Sequence, residues 1–402
     1  HKSGQMTEAI SLYNQILQRV LFLLGTANQE AGQLGLAARY LRESLELDPG
    51  NAAAYNNLGN TLMMLERFDE ALASYDKALM LNPRYAEASY NRGNAFRDMQ
   101  RLDEALENYT KAVLLQPDHA KAYNNRGVTL RELNRFDEAM ADYDKAIGLK
   151  PDYAAAHNNR GALLRHLDRF DEALQCYDNA LFHQPDYAEA YSNRGVVLKR
   201  LRRLDEALAC YTKALVLEPD YAEANWNKAD LLMLQGQLPE SWNFFEWRTR
   251  RQDTKAKYYK FAQLAWRGRE DMRGKRLLIH AEQGFGDVIQ FCRYVPQTRA
   301  LGAEIILEVQ QALLPFISTL DCDVTLVGTG QSLPEFDAYC PVMSLPFVFQ
   351  TTMETIPART PYLFSDTDKV AQWRRQLGRK SRMRVGLAWY GSVDNNNDRN
   401  RS

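Results

Sequence analysis

A glycine recurs at a fixed interval through the first half of this chain, and that interval narrows the possible folds before anything else does. It stands at Gly25, Gly59, Gly93, Gly127, Gly161 and Gly195, with Ala229 in the next place. Proline keeps the same step from Pro49 through Pro83, Pro117, Pro151 and Pro185 to Pro219, and alanine from Ala37 through Ala71, Ala105, Ala139 and Ala173 to Ala207. A fixed period of this kind means stacked supersecondary units, each able to bury its apolar face only against its neighbours. Within one unit Tyr55, Leu58, Gly59 and Leu62 share one helical face and Ala71, Tyr75 and Ala78 share another, which predicts two amphipathic helices per unit. Gly59 and Ala71 are small enough for the two helices to approach closely. Asp69 and Glu70 suit the positive first turn of the second helix, and Pro83 prevents its continuation.

Six complete units start at Ala52, Ala86, Ala120, Ala154, Ala188 and Ala222. The pattern resembles the tetratricopeptide repeat, which implies an α-solenoid. Its phase slips near the start of the chain. Thr7-Glu8-Ala9-Ile10 matches Asp69-Glu70-Ala71-Leu72 in type, yet Ala9 stands less than a full period before Ala37. The expectation is that about six residues of an inter-repeat turn are missing after Arg19 and that Arg19 and Val20 are not truly adjacent. At the other end the repeat degrades into Trp242, Phe244, Phe245 and Trp247, aromatics suited to closing the solenoid or docking it on a following domain. From Glu246 to Arg276 eleven Lys/Arg stand against four Asp/Glu, a basic junction that reads equally as a solvated linker face or an anion-binding surface.

After Lys275 the period changes. Lys275 to Ala281, Glu304 to Val309 and Asp323 to Val327 are strand-like. A glycine turn and a helical stretch to about Ala300 follow the first, and helical Gln311 to Leu320 follows the second. Strand, turn, helix, strand predicts parallel βαβ units. A proline-rich stretch from Pro341 to Pro361, a polar helix from about Asp366 to Leu377 and a new strand from Arg384 to Trp389 complete the pattern.

Composition excludes several classes. Hydrophobic residues make up 45% and charged residues 25% of the chain, too apolar for a disordered one. Fifty Lys/Arg nearly cancel fifty-one Asp/Glu, so no global field points to nucleic acid. No apolar run is long enough to span a bilayer and no signal-peptide layout opens the sequence. Five scattered cysteines without Cys-x-x-Cys spacing argue against a disulfide framework or a zinc site, and a cytoplasmic setting with no metal and no cofactor is expected.

Two groups of residues can carry chemistry. Gly284-Phe285-Gly286-Asp287 follows the first strand of the α/β part, at the edge where such sheets bind ligands. Asp287 reads equally as a helix cap or as a site residue. His280 and Glu282 share a strand face, and at least one of them is expected to pack rather than react. The second group is a row of asparagines two places before each marker glycine: Asn57, Asn91, Asn125, Asn159, Asn193 and Asn227. An amide offers donors and an acceptor, so the row can either bind the backbone of an extended peptide or tie neighbouring repeats together. Arginines follow the asparagines from Arg92 to Arg194, and these are expected to lie along the inter-repeat interface with their heads on carboxylates. The tyrosines Tyr75, Tyr109, Tyr143, Tyr177 and Tyr211 have core spacing.

His280 to Tyr294, with Gly386-Leu387-Ala388-Trp389 and Asn397-Asp398-Arg399-Asn400-Arg401-Ser402, resembles bacterial proteins that join tetratricopeptide repeats to a heptosyltransferase-like glycosyltransferase of two Rossmann-like halves. The asparagine row is similar to the ladder of the O-linked N-acetylglucosamine transferases, which binds protein acceptors, and on that likeness it is expected to be open to a peptide. The resemblance implies a solenoid over 1–245, a basic junction over 246–274, an acceptor-side Rossmann-like half over 275–382 and the start of a donor half over 383–402. It implies sugar transfer from a nucleotide-sugar to a recruited protein or peptide, with Asp287 as the base. Gly284, Gly286, Gly391, Ser392, Asn397 and Arg399 would lie on the donor or its phosphates. Because the donor half has barely begun at Ser402, the chain alone is expected to be inactive. The alternative is a non-catalytic scaffold with a degenerate α/β domain, and no nucleic-acid or membrane-spanning role is expected in either case.

Overall fold

A computed structural model describes residues 2–251, 261–282 and 284–377. The chain forms two compact units, residues 1–231 and 232–402.

The first unit is a stack of helix pairs. After α1 (Lys2–Glu30) and α2 (Leu34–Leu47), the pairs are α3 (Ala52–Met64) with α4 (Phe68–Leu81), α5 (Ala86–Asp98) with α6 (Leu102–Leu115), and α7 (Ala120–Glu132) with α8 (Phe136–Leu149). They continue as α9 (Ala154–His166) with α10 (Phe170–His183) and α11 (Ala188–Arg200) with α12 (Leu204–Leu217), after which α13 (Ala222–Leu234) and α14 (Leu238–Phe245) follow in the chain. The repeating glycine is explained by its partner. A Cβ on Gly59 would lie 2.5 Å from the Tyr75 ring, and Gly93, Gly127, Gly161 and Gly195 face Tyr109, Tyr143, Tyr177 and Tyr211 in the same way. The tyrosines are fully buried as a result. Each helix pair turns through one left-handed residue, and between Gly32 and Gly236 these are Glu66, Gln100, Asn134, Asp168 and Arg202, with φ from 56° to 62°. The turn closes on a backbone bond such as Arg67 N–H to Leu62 O, 2.9 Å. An asparagine or histidine side chain caps some first helices: Asn51 accepts from Ala54 N–H and His119 from Ala122 N–H.

One long helix, α1, passes through Arg19 and Val20, the place where the missing inter-repeat turn is expected. The reason is local: residues 5–24 contain neither glycine nor proline, so nothing stops the helix. Its early turns leave Met6, Ile10, Tyr13 and Ile16 exposed.

Among the described residues the second unit holds a five-stranded sheet, parallel throughout, in the order β1-β5-β2-β3-β4. Its strands are β1 (Leu264–Ala265), β2 (Arg276–His280), β3 (Glu304–Val309), β4 (Thr325–Gly328) and β5 (Ala338–Pro341). Register is set by pairs such as Leu278 with Ile306 and Ile279 with Cys340. Helices α15 (Phe285–Phe291), α16 (Val295–Arg299), α17 (Leu314–Ile317), α18 (Leu345–Val348) and α19 (Thr367–Leu377) complete the described part. The short strands β1 and β5 have no clear signature in the sequence. β5 reaches into the proline-rich stretch and inserts between β1 and β2, so the sheet extends on both sides of β2. The division between the units falls inside α13, ahead of residue 245, because α14 packs into the α/β part: the Trp242 indole N–H donates to Thr351 O at 2.8 Å.

Candidate functional site

The asparagine row runs along the seam between successive first helices. The Nδ2 groups of Asn91, Asn159 and Asn193 donate to Asn56, Asn124 and Asn158 of the preceding repeat at 3.0–3.1 Å. Asn125 donates to Asn94 Oδ1 at 2.9 Å and to Tyr90 Oη at 3.1 Å. Asn57 and Asn227 reach Thr26 and Ser192 in the same manner. In place of the expected open row, Asn91 is buried and the others are half-buried, with amide N–H groups engaged between repeats. The arrangement is an inter-repeat clasp, and each bond is worth about 1 kcal/mol. For Asn91, Asn159 and Asn193 the partner is the residue just before the row, visible in the sequence as the Asn-Asn pairs 56–57, 124–125 and 158–159.

The arginines after the asparagines behave as their spacing suggests. Arg92, Arg160 and Arg194 reach Asp76, Asp144 and Asp178 of the preceding repeat, and Arg126 makes two 2.7 Å bonds to Asp142. Arg160 and Arg194 also donate to the buried thiols of Cys176 and Cys210, and burial pushes both thiols up.

In the α/β unit, Asp287 sits in the first turn of α15, beyond the carboxyl end of β2. It lines a cavity of about 420 Å³ together with Leu238, Trp242, Phe245, Gln290 and Met343. Burial among these side chains raises the Asp287 carboxyl above the usual aspartate range, while the Gly284 N–H, donating to Oδ2 at 3.2 Å, opposes the rise. The cap and the cavity position therefore coexist. The two glycines before Asp287 are not demanded by the chain's own packing. Gly284 has an ordinary extended φ of −69°, and a Cβ on Gly286 would meet nothing within 4 Å.

The other candidates of this strand separate by role. His280 is buried against Phe261 and Tyr339, with Nδ1 at 3.1 Å from Ala281 O. The Glu282 carboxylate is fully buried and receives two bonds from Arg248, whose guanidinium also contacts Glu246 and Ser344. Burial pushes Glu282 upward and Arg248 holds it down. Arg248 comes from the basic junction, so at least this cation belongs to the interior. No periodic signal links it to Glu282. Gly391, Ser392, Asn397 and Arg399, and the whole expected donor-half segment 383–402, lie outside the described residues. Among the described residues there is no group of three or more His, Cys, Asp or Glu that could hold a metal ion, and no helix long and apolar enough to cross a membrane.

Tetratricopeptide-repeat sequence models match residues 18–51, 52–85, 90–154, 154–187 and 188–221, so the repeats are tetratricopeptide repeats. Protein FlbA of Caulobacter vibrioides is 28% identical over 180 residues, covering 40% of this chain; the match spans 30% of FlbA's length. Among solved structures, a tetratricopeptide repeat protein from Parabacteroides merdae aligns with a TM-score of 0.51 at 19% identity, over 60% of this chain and 95% of that one. YrrB, described as a tetratricopeptide-repeat protein with an unusual peptide-binding site, is 28% identical over 47% of this chain and 97% of its own, with a TM-score of 0.39. The repeats indicate a scaffold for protein–protein interaction.

Proposed function

We propose that the repeats recruit a protein or peptide and that the α/β unit, as the acceptor-side half of a Rossmann-like pair, transfers a sugar to it from a nucleotide-sugar. The observation that carries this reading is Asp287: a carboxyl raised by burial, in a cavity beyond the carboxyl end of a central parallel strand, just after two glycines that the chain's own packing does not need. In the reaction an acceptor hydroxyl gives its proton to Asp287 as its oxygen bonds the anomeric carbon, and the nucleoside diphosphate departs with the electrons of the broken C–O bond. A raised carboxyl is a stronger base than an ordinary one, which suits that role. Backbone N–H groups beside Gly284 and Gly286, and the donor-side residues Gly391, Ser392, Asn397 and Arg399, are assigned to the departing diphosphate.

The test is transfer from a panel of labelled nucleotide-sugars by the complete gene product. Asp287→Asn keeps the shape and removes the proton acceptor, and the rate should fall about 10² to 10⁴-fold. A wild-type rate in that variant would remove Asp287 from the chemistry. The second reading, a non-catalytic scaffold, is favoured by the Gly284 bond that already occupies one Asp287 oxygen. It predicts no transfer from any nucleotide-sugar.

A further inference from the structure

Four cationic rows repeat with the solenoid: an exposed lysine row on the second helices, Lys77, Lys111, Lys145 and Lys213, and three arginine-rich rows, of which two are neutralised. Arg92, Arg126, Arg160 and Arg194 each meet an aspartate, while Arg67, Arg101, Arg135, Arg169 and Arg203 each meet the glutamate three places on. The third row is Arg97, Arg131, Arg165 and Lys199, at the ends of the first helices. Its outer members are paired, Arg97 with Asp98 and Lys199 with Asp230. Its central members, Arg131 and Arg165, are half-buried and have no carboxylate in ion-pair range among the described residues. The Arg165 Nε is buried and makes no hydrogen bond there.

The same two repeats, and the one after them, leave tyrosine hydroxyls unanswered. Tyr75 and Tyr109 donate to Asn60 and Asn94 at 2.7 Å, and Asn94 in turn accepts from Asn125 on the next first helix. The tyrosine tips therefore reach the seam where first helices meet. At the equivalent of Asn60 and Asn94 the later repeats carry Val128, Ala162 and Val196, which cannot accept. The hydroxyls of Tyr143, Tyr177 and Tyr211 are buried and make no hydrogen bond among the described residues. Arg131, Arg165 and Lys199 each stand three places beyond those apolar positions, on the same helical face. Burial pushes the Tyr177 hydroxyl up to about 12, with Arg165 and Arg131 close enough to pull it down and Cys176 and Glu189 close enough to add to the rise.

Two guanidiniums with no carboxylate in ion-pair range among the described residues thus stand beside buried hydroxyls that have no acceptor, although Glu132 and Glu189 lie within electrostatic range of those hydroxyls. Leaving the two guanidiniums half-buried without a carboxylate costs free energy in the unbound protein, which an anionic ligand recovers. We propose that the first-helix face of the repeats spanning residues 120–221 binds an acidic peptide segment, with Arg131 and Arg165 taking its carboxylates. This rests on the recruiting role of the repeats and adds the chemistry of what they recruit. The asparagine row, committed between repeats, then positions the first helices and leaves selection to the cations.

The experiment is fluorescence anisotropy with the whole chain and three labelled probes: a Glu/Gly decapeptide, its Gln/Gly counterpart and a single-stranded oligothymidylate. The Glu peptide should bind about tenfold or more tightly than the Gln peptide, with an advantage that shrinks at high salt. Arg131→Gln with Arg165→Gln should weaken Glu-peptide binding by about tenfold or more, the usual worth of charge-assisted hydrogen bonds. Arg131→Lys with Arg165→Lys keeps the charge and should retain most of it, which separates binding from a folding defect. Equal binding of the Glu and Gln peptides overturns the acidic preference while leaving a peptide-binding solenoid. Binding of neither peptide overturns both, and tighter binding of the oligonucleotide that the same substitutions abolish assigns the cations to nucleic acid instead.

Discussion

In the repeats, the recurring side-chain bonds from one helix to another span 15, 16, 31 or 35 residues, as in Tyr75 to Asn60, Arg126 to Asp142, Asn125 to Asn94 and Asn91 to Asn56, and the others stay within about one repeat. In the α/β unit Arg248 reaches Ser344 across 96 residues and Trp242 reaches Thr351 across 109. The solenoid is therefore a sum of nearest-neighbour terms, in which damage stays local. The α/β unit depends on closures that form only when the whole unit is assembled, and a single broken clasp reaches every strand.

The contrast is tested most severely by Arg248→Met. It strands the fully buried Glu282 without its cation, and losing one partner of a buried pair costs roughly 3–5 kcal/mol. Urea unfolding followed by tryptophan fluorescence should show the α/β transition shifted, with helical ellipticity of the repeats retained. A shift below about 1 kcal/mol, small beside the usual cost of an uncompensated buried charge, would mean that the clasp is not what holds β2 to its surroundings.

Next comes the triple substitution of Asn125, Asn159 and Asn193 by alanine. Because their amides join repeats, it should cost about 2–4 kcal/mol in all, spread over the central repeats. Hydrogen exchange should show the loss confined to helices α5 to α11. An unchanged Tm would return the row to the open, peptide-facing role that its resemblance suggests.

A smaller effect separates the early repeats from the late ones. Tyr109→Phe removes a 2.7 Å bond and leaves Asn94 short of a donor, at a cost of about 1 kcal/mol. Tyr177→Phe removes a hydroxyl with no hydrogen-bond partner among the described residues and should change stability by less than about 0.5 kcal/mol, or raise it. Equal costs in thermal unfolding would show that the Tyr177 hydroxyl is satisfied after all.

The smallest effect is a pH dependence at Asp287. Its folded pKa is raised above the unfolded value, so it favours the folded state below the unfolded pKa, and that contribution is lost as pH rises through the folded pKa. Asp287→Asn should match wild-type stability at acid pH and gain on it toward neutrality, by less than about 1 kcal/mol for a half-buried group. A variant that instead loses stability as pH rises would make the ionised carboxylate a structural necessity.

Legibility followed the range of the contacts. The helix pairs, the buried tyrosines and the arginine–aspartate pairs could be read because a repeat places the partner of each residue at a known offset. The asparagine row was visible as a row, but the amide donors could have turned outward to a peptide or sideways to the next repeat with equal ease. Only the packing of first helix on first helix turned them sideways. The burial of Asp287 depends on Trp242 and Met343, brought to it from distant stretches on either side in the chain, and no local pattern announces that.

The repeat is written in the chain itself: a fixed period dictates two helices per unit, a glycine against each tyrosine and a stack that grows by one neighbour at a time, because every one of those interactions is local. Which polar groups are committed inside and which are left for a partner was settled later, by packing. Arg126 and Arg131 are alike in chemistry and share the helix α7, yet one is locked to Asp142 and the other has no carboxylate in reach among the described residues. Desolvation and ion pairing depend on distances of a few ångströms in three dimensions, and a sequence does not carry them until the helices have been packed.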